Sequence, residues 1–270
     1  VVLSKDLNTE KRWLKAEMHA HCNLDPRDYG VCRFAPEQLI QKATGLGFEV
    51  LSITCHDRDI WTPELFDYAR SWGITLISGM EVTVEKKRHV LVYNSGEVAE
   101  NLDTLEKIHA NTSEKSLIVA PHPFYPGRSC LGNYLKKNLD LFDAIEYSGF
   151  LVRGLDFNRK AVKLARRHYK PLVGFGDIHY LWQLGKTYTW IYAEPNVDSI
   201  LNAVKHGFVR VASSPLSWFE AASWWVANFY RKAFRPNSPP LHVPSDKIED
   251  GRCFGTPQQS METQRIHVGQ

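Results

Sequence analysis

Residues 46–57, Leu-Gly-Phe-Glu-Val-Leu-Ser-Ile-Thr-Cys-His-Asp, carry the pattern that decides the fold. Gly45 and Gly47 stop a helix that Pro36 and Glu37 open, with Leu39, Ile40 and Ala43 on one face. Val50 to Thr54 is then a short apolar run of strand type, and it delivers an imidazole, His56, and a carboxylate, Asp57. The same order recurs outward from this stretch. Leu14 to Ala20 leads into His19-Ala20-His21, and Ile74 to Ser78 leads into Gly79-Met80-Glu81. Ser116 to Ala120 leads into Pro121-His122-Pro123, and Pro171 to Phe175 into Gly176-Asp177-Ile178-His179. Each cluster alone is a weak signal. Five of them in one chain, each at the end of an expected strand, point to a multinuclear metal site of imidazole nitrogens and carboxylate oxygens, which suits zinc, manganese or iron.

Further strands are expected at His89 to Tyr93, Phe142 to Tyr147, Thr189 to Ala193 and Val209 to Ala212. Helices are expected at Pro63 to Trp72, Leu102 to Ala110, Asn158 to His168 and Val197 to His206. Alternating strands and helices give α/β architecture. In a barrel of parallel strands the strand C-termini open on one face, which brings distant clusters together. Roughly seven βα units are expected. No GxGxxG fingerprint favours a dinucleotide fold. Pro215 to Phe234 reads as a helix dense in aromatics, among them Trp218, Phe219, Trp224 and Trp225, capping the barrel. A membrane-surface or partner-binding helix is the alternative, because Arg231, Lys232 and Arg235 follow the aromatics. The expected division is a hydrolase barrel over 1–215, the aromatic helix over 216–235 and an extended tail over 236–270.

The bulk composition is that of a globular protein: 270 residues, 43% hydrophobic, 23% charged. A net charge of +3 is too mild to argue for nucleic acid, yet it does not repel a phosphorylated substrate. Five scattered cysteines without a CxxC speak against a disulfide framework and for a reducing compartment. No run of about 18 apolar residues suggests a membrane span, and no signal-peptide pattern opens the sequence. A cytoplasmic protein is expected.

His19 and His21, two apart on a strand, point to one side, and a pair of imidazoles on a core face is costly without a ligand. Asp177 and His179 repeat that geometry. Glu81 directly after Gly79-Met80 has little structural use, and the flanking prolines hold His122 rigidly. His89, eight residues after Glu81, is a ligand or a hydrogen-bonded strand-start histidine. Asp57 orients a neighbour or caps the segment that follows. Glu146, at the end of a buried strand, contacts substrate or a ligand histidine. Arg58, Arg128, Arg153 and Lys186 follow strand ends, and arginine forks suit phosphate oxygens. Solvated loop cations are the alternative.

In this order, the five clusters resemble the PHP (polymerase and histidinol phosphatase) family. Ala35-Pro-Glu37-Gln-Leu-Ile and Ile145-Glu146-Tyr147 followed by Asn158 resemble its flanking segments. The resemblance spans about residues 14 to 212. It implies a distorted (β/α)7 barrel, two to three divalent ions on its C-terminal face, and hydrolysis of phosphate esters. It implies one ion at His19, His21, Glu81 and Asp177, and a second at Glu81, His122 and His89. A third falls to His56 and His179 with an acid from the first loop, Asp25 or Asp28, of which Asp25 is preferred. The family's second motif usually has an Asp where this chain has Cys55, whose thiol is expected to pack as a small apolar group.

The expected function is a metal-dependent phosphoesterase acting on a phosphomonoester or nucleotide through a metal-activated hydroxide. Asp177, His179 and Glu81 stand at the chemistry, His179 as one candidate acid, and Arg128, Arg153 and Arg58 contact the substrate. The alternatives are a nuclease acting on DNA or RNA ends, less favoured, and a metal-binding interaction module. Oligomeric state is left open.

Overall fold

The computed structural model describes residues 10–85, 87–96 and 102–233. The expected tail over 236–270, and Phe234 and Arg235, lie outside the described residues. The elements run β1 (Arg12–Glu17), α1 (Pro36–Gly45), β2 (Val50–Ser52), α2 (Pro63–Ser71), β3 (Thr75–Ile77), β4 (Gly79–Val84) and β5 (Arg88–Tyr93). They continue with α3 (Leu105–Ala110), β6 (Leu117–Ala120), α4 (Asn133–Lys137), β7 (Ala144–Ser148), α5 (Arg159–Arg167) and β8 (Leu172–Phe175). The last are β9 (Thr187–Ala193), α6 (Val197–Lys205), β10 (Val209–Ser213) and α7 (Trp218–Ala233).

Local chemistry sets these boundaries. α1 starts at Pro36, whose ring fixes a helical φ, and the Gln38 side chain accepts the Ala35 N–H at 2.9 Å. In α2 the Thr62 hydroxyl accepts the Leu65 N–H at 3.2 Å. Gly47 and Gly73, with φ of 74° and 77°, turn the chain out of these helices into β2 and β3.

The strands form two five-stranded sheets, ordered β10-β9-β1-β2-β3 and β4-β5-β6-β7-β8. They are not all parallel, as a simple βα repeat would require. β5 and β9 run against both of their neighbours. The hairpin between β4 and β5 is the unexpected element, because Glu81 lies inside β4 rather than beyond the end of β3. Only three residues separate Val84 from Arg88, and so short a connection returns a strand antiparallel. Because β5 is reversed, its first residues sit at the end of the sheet where β4, β6, β7 and β8 finish.

Leu14, Ala16, Val50, Ile77, Leu91, Val119, Val173 and Phe175, drawn from both sheets, belong to one buried cluster. The sheets approach each other at two glycines. The chain passes from β3 to β4 through Gly79, where a Cβ would stand 2.6 Å from Ser52 Oγ and 2.7 Å from the buried Tyr93 ring. Between β8 and β9, the Thr189 hydroxyl accepts the Gly174 N–H and donates to the Gly174 carbonyl, both at 2.8 Å. A Cβ at Gly174 would stand 2.5 Å from Val211.

Overpacking of this kind costs about 1–3 kcal/mol. Gly79→Ala is therefore expected to lower the denaturant midpoint by that equivalent at unchanged m-value. A midpoint equal to wild type would show that the seam yields freely.

Candidate metal centre

Backbone bonds lace four of the five cluster segments together. The Ile178 N–H donates to the His19 carbonyl at 3.0 Å, and the His21 N–H to the Ile178 carbonyl at 2.9 Å, so first and last clusters are clipped to each other. Thr54 N–H reaches the Ala20 carbonyl at 2.7 Å, Glu81 N–H the Cys55 carbonyl at 3.2 Å, and Asp57 N–H the Glu81 carbonyl at 3.0 Å. His122 and Asp177 hold left-handed φ values of 30° and 48° without being glycine. Such conformations cost about 1–3 kcal/mol each and persist where the surroundings dictate them.

Glu81 is the hub. Its Oε1 lies 2.8 Å from His89 Nδ1, 3.0 Å from His122 Nε2 and 3.5 Å from His19 Nε2. Its Oε2 lies 3.0 Å from His56 Nε2 and 3.5 Å from His21 Nε2. Asp177 Oδ1 faces His19 Nε2 at 3.3 Å and His21 Nε2 at 3.2 Å. His179 Nε2 meets Asp28 Oδ2 at 3.0 Å. Four overlapping groups of donors, each within 4.8 Å of one another, result: His19, His21 and Asp177; His19, Glu81 and His122; His56, Glu81 and His89; and His21, Asp25, Asp28 and His56. Eight of the nine residues expected as ligands fall in these groups, and His179 joins them through Asp28.

A row of carboxylates behind the imidazoles aims them. Glu146 Oε2 takes His19 Nδ1 at 2.8 Å, and its Oε1 accepts the His122 N–H at 3.2 Å. Glu146 thus contacts His19, one of the histidines expected as ligands. Asp25 Oδ2 lies 2.8 Å from His21 Nδ1 and 3.0 Å from His56 Nδ1, and also accepts the His56 N–H. Asp25 Oδ1 accepts the Arg27 and Asp28 N–H groups. Asp28, not Asp25, lines the cleft. Outer carboxylates of this kind fix tautomer and ring orientation in metal sites.

Sequence reasoning passed over two supports. Glu17 accepts N–H groups of His19 and Gly176, and a charge within an apolar strand two residues before the His pair was its signal. Gln183 Oε1 accepts the His179 and Tyr180 N–H groups, with no comparable signal in the sequence. Cys55 is fully buried with Sγ 3.5 Å from Cys22 Sγ, packed as a small apolar group. Arg58, Arg128 and Arg153 are exposed, and none lines the cleft. Lys186 instead pairs with Glu220 of α7 at 2.8 Å. That helix seats Ala221 with Val152 and Leu216, and places Trp224 on the cleft wall.

The donors fit a metal on a direct observation. His19 Nε2, His21 Nε2 and Asp177 Oδ1 are buried, face one another, and have no hydrogen-bond partner. Three such groups turned together would cost several kcal/mol with nothing between them, and a divalent cation satisfies all three.

Protons balance the charge in the metal-free site. Burial works against charge on His19, but Asp177, Glu146 and Glu81 outweigh it and hold its pKa well above the ordinary value. Burial likewise opposes charge on His56, and Glu81 and Asp25 nevertheless raise it to about 10. His122 is raised against burial by Cys130 and Glu81. Burial also opposes charge on Glu81 and Asp177, yet the surrounding histidines keep both carboxyls well below the carboxylate range. Burial wins at His89, which is lowered.

The sign of the pH dependence follows. Histidines raised in the folded state stabilise it fully below the unfolded pKa of about 6.5, and that contribution is lost as pH rises through the folded value. For His56 the loss runs up to about 10. His89, Glu81 and Asp177 act only on the acid side of this window, whereas Glu17, raised by burial to about 8, adds to the loss as pH rises through that value. The melting temperature of metal-free protein is therefore expected to fall from pH 6.5 towards 10. Saturating divalent metal should flatten that limb, with protons released on binding. A metal-free melting temperature that rises from pH 7 to 9 would contradict this charge balance.

The comparisons with known proteins agree with this geometry. A family model described as PHP-associated matches residues 156–209. The uncharacterized protein MJ0417 of Methanocaldococcus jannaschii is 22% identical over 198 residues, covering 68% of this chain and 73% of its own length. Among solved structures, a two-domain protein of Bacteroides vulgatus containing a predicted PHP-like metal-dependent phosphoesterase superposes with a TM-score of 0.58. It has 19% identity and covers 77% of this chain and 67% of that one. The lesion-specific endonuclease PfuEndoQ of Pyrococcus furiosus gives a TM-score of 0.56 at 17% identity, over 74% of this chain and 58% of that one. Taken with the five clusters in their order, these likenesses support the resemblance to the PHP family.

Proposed function

We propose that the chain is a metal-dependent phosphoesterase that hydrolyses a phosphomonoester or nucleotide. The observation that carries this reading is the convergence of His19 Nε2, His21 Nε2 and Asp177 Oδ1, three buried donors without a partner, beside the Glu81 hub. On this reading the two sheets are the halves of the distorted (β/α)7 barrel of the family. The hydrolase unit is 1–215, and α7 completes its cleft. No helix among the described residues is long and apolar enough to cross a membrane.

His19, His21, Glu81 and Asp177 would hold one divalent ion, and Glu81, His89 and His122 a second. His56, His179 and Asp28 would hold a third, with Asp28 favoured over Asp25 because both Asp25 oxygens are already taken by hydrogen bonds. Zinc, manganese and iron all suit these ligands. Such ions, when bound, lower the pKa of water and offset the negative charge of a phosphate.

The chain's own residues do the rest. Glu146 and Asp25 occupy the Nδ1 atoms of His19, His21 and His56, so their Nε2 atoms face the cleft. With two ions bound and the third position empty, His179, whose Nε2 lies beside Asp28 on the cleft wall, would hand a proton to the departing alkoxide. The exposed arginines have no part in this scheme.

A nuclease is the second reading, favoured by the fold shared with the endonuclease PfuEndoQ and by aromatic side chains on the cleft wall. Assay of one metal-loaded sample on a phosphomonoester and on a single-stranded oligonucleotide separates the two.

Chelation is expected to abolish phosphate release, and divalent metal to restore it. Asp177→Asn or His19→Ala should lower kcat/KM by about 100-fold or more, and Glu146→Gln by about 10–100-fold with weaker metal retention. Unchanged turnover of Asp177→Asn in saturating metal would sink the mechanism.

A further inference from the structure

The cleft has two chemically opposite ends. One is the donor cluster. The other is a wall of aromatic rings from three separate segments: Tyr125 just after His122, Phe150 just after β7, and Trp224 on α7. Phe150 and Trp224 lie 4.6 Å apart between centroids at 49°, and Tyr125 meets Phe150 edge-on at 5.1 Å. Tyr125 also meets Phe157 edge-on at 5.2 Å. The rings are therefore held by one another and by a helix.

We infer that this wall is a base-recognition shelf, and that the substrate's organic part is a nucleotide base carried next to the reacting phosphate. The inference rests on the phosphoesterase reading and deepens it. No lysine or arginine is among the residues that line the cleft, so the phosphate is left to the donor cluster. Two of the polar side chains on the lining serve the backbone, since Ser148 Oγ accepts the Phe150 N–H and Gln183 Oε1 accepts two N–H groups, which leaves Ser129 as the further small hydroxyl there. A bare sugar phosphate needs partners for several hydroxyls, and the wall offers it mainly ring surface. A flat heteroaromatic base needs only that surface, because every base has a π-face. The same chemistry is met in a free mononucleotide and at the end of a single strand.

The test uses the metal-loaded full chain. It compares adenosine 5′- and 3′-monophosphate with ribose 5-phosphate by kcat/KM for phosphate release. One adenosine monophosphate should be preferred over ribose 5-phosphate by about tenfold or more, within what stacking of one base contributes. In Trp224→Leu and in Phe150→Leu that ratio should fall towards one at full metal content. Phe219→Ala, on an exposed residue of α7 that does not line the cleft, should keep it. Equal turnover of nucleotide and ribose phosphate by wild type would overturn the shelf, as would a ratio untouched by both leucine variants.

Binding of adenosine itself, read by saturation-transfer NMR, separates the two levels of inference because it needs no turnover. If no ester is hydrolysed, the phosphoesterase reading fails. Adenosine binding that Trp224→Leu abolishes would then still support the shelf, and absence of adenosine binding to wild type would overturn it. A 5′-phosphorylated single-stranded oligonucleotide turned over better than the mononucleotide assigns the base to a strand end, and the reverse assigns it to a free nucleotide.

Discussion

Glu81 is 1% exposed, and its two oxygens lie within 3.5 Å of five imidazoles from four different segments. An isolated carboxylate at that depth would be protonated, or the fold around it would fail. It is tolerated because the segments that bring the imidazoles are bonded backbone to backbone, so the ligand atoms cannot drift apart. The structure around the cleft reads as the means of holding that one charge. The glycine seams let the sheets approach, the β4–β5 hairpin turns His89 back towards Glu81, and the outer carboxylates stop the rings from rotating.

The strain at His122 and Asp177 belongs to the same constraint. A left-handed φ at a residue with a side chain is unfavourable. At both positions it occurs at a residue of the donor cluster two places beyond the end of a strand. For Asp177 it comes with a buried oxygen that faces two imidazoles without a hydrogen bond to either. Two local costs at one place, both relieved or repaid by a bound cation, are what a site organised ahead of its ligand looks like.

Much of this was legible in the sequence because the clusters repeat a local grammar, an apolar strand followed by ligands. His19, His21, His56, His122, Asp177 and His179 could be named from that grammar, since strand ends are local. What escaped was non-local or below the resolution of periodicity. β4 was invisible because Gly79-Met-Glu reads as a loop after β3, and only pairing with β5 makes it a strand. Asp25 and Asp28 cannot be ranked by spacing, because a turn held by Asp25 Oδ1 decides which carboxylate faces the cleft. The arginines were placed by the general affinity of guanidinium for phosphate, a property of the residue type, whereas exposure is a property of the loop.

Trp224 is the sharpest case of such non-locality. Its helix shows an aromatic density that marks a packed face, and packing is part of what it does, through Ala221 against Val152 and Leu216. The docking of that face carries one further ring past the core to Phe150, some 75 residues away in sequence and beside the donor cluster. Lys186, expected near the active face, contributes there indirectly, by anchoring Glu220 one turn before Trp224. The family resemblance ends near residue 212, so of the donor cluster and the aromatic wall only the wall draws on a residue beyond it, Trp224. On the proposed reading the first fixes what bond can be broken, and the second, supplied partly by α7, selects what is attached to it.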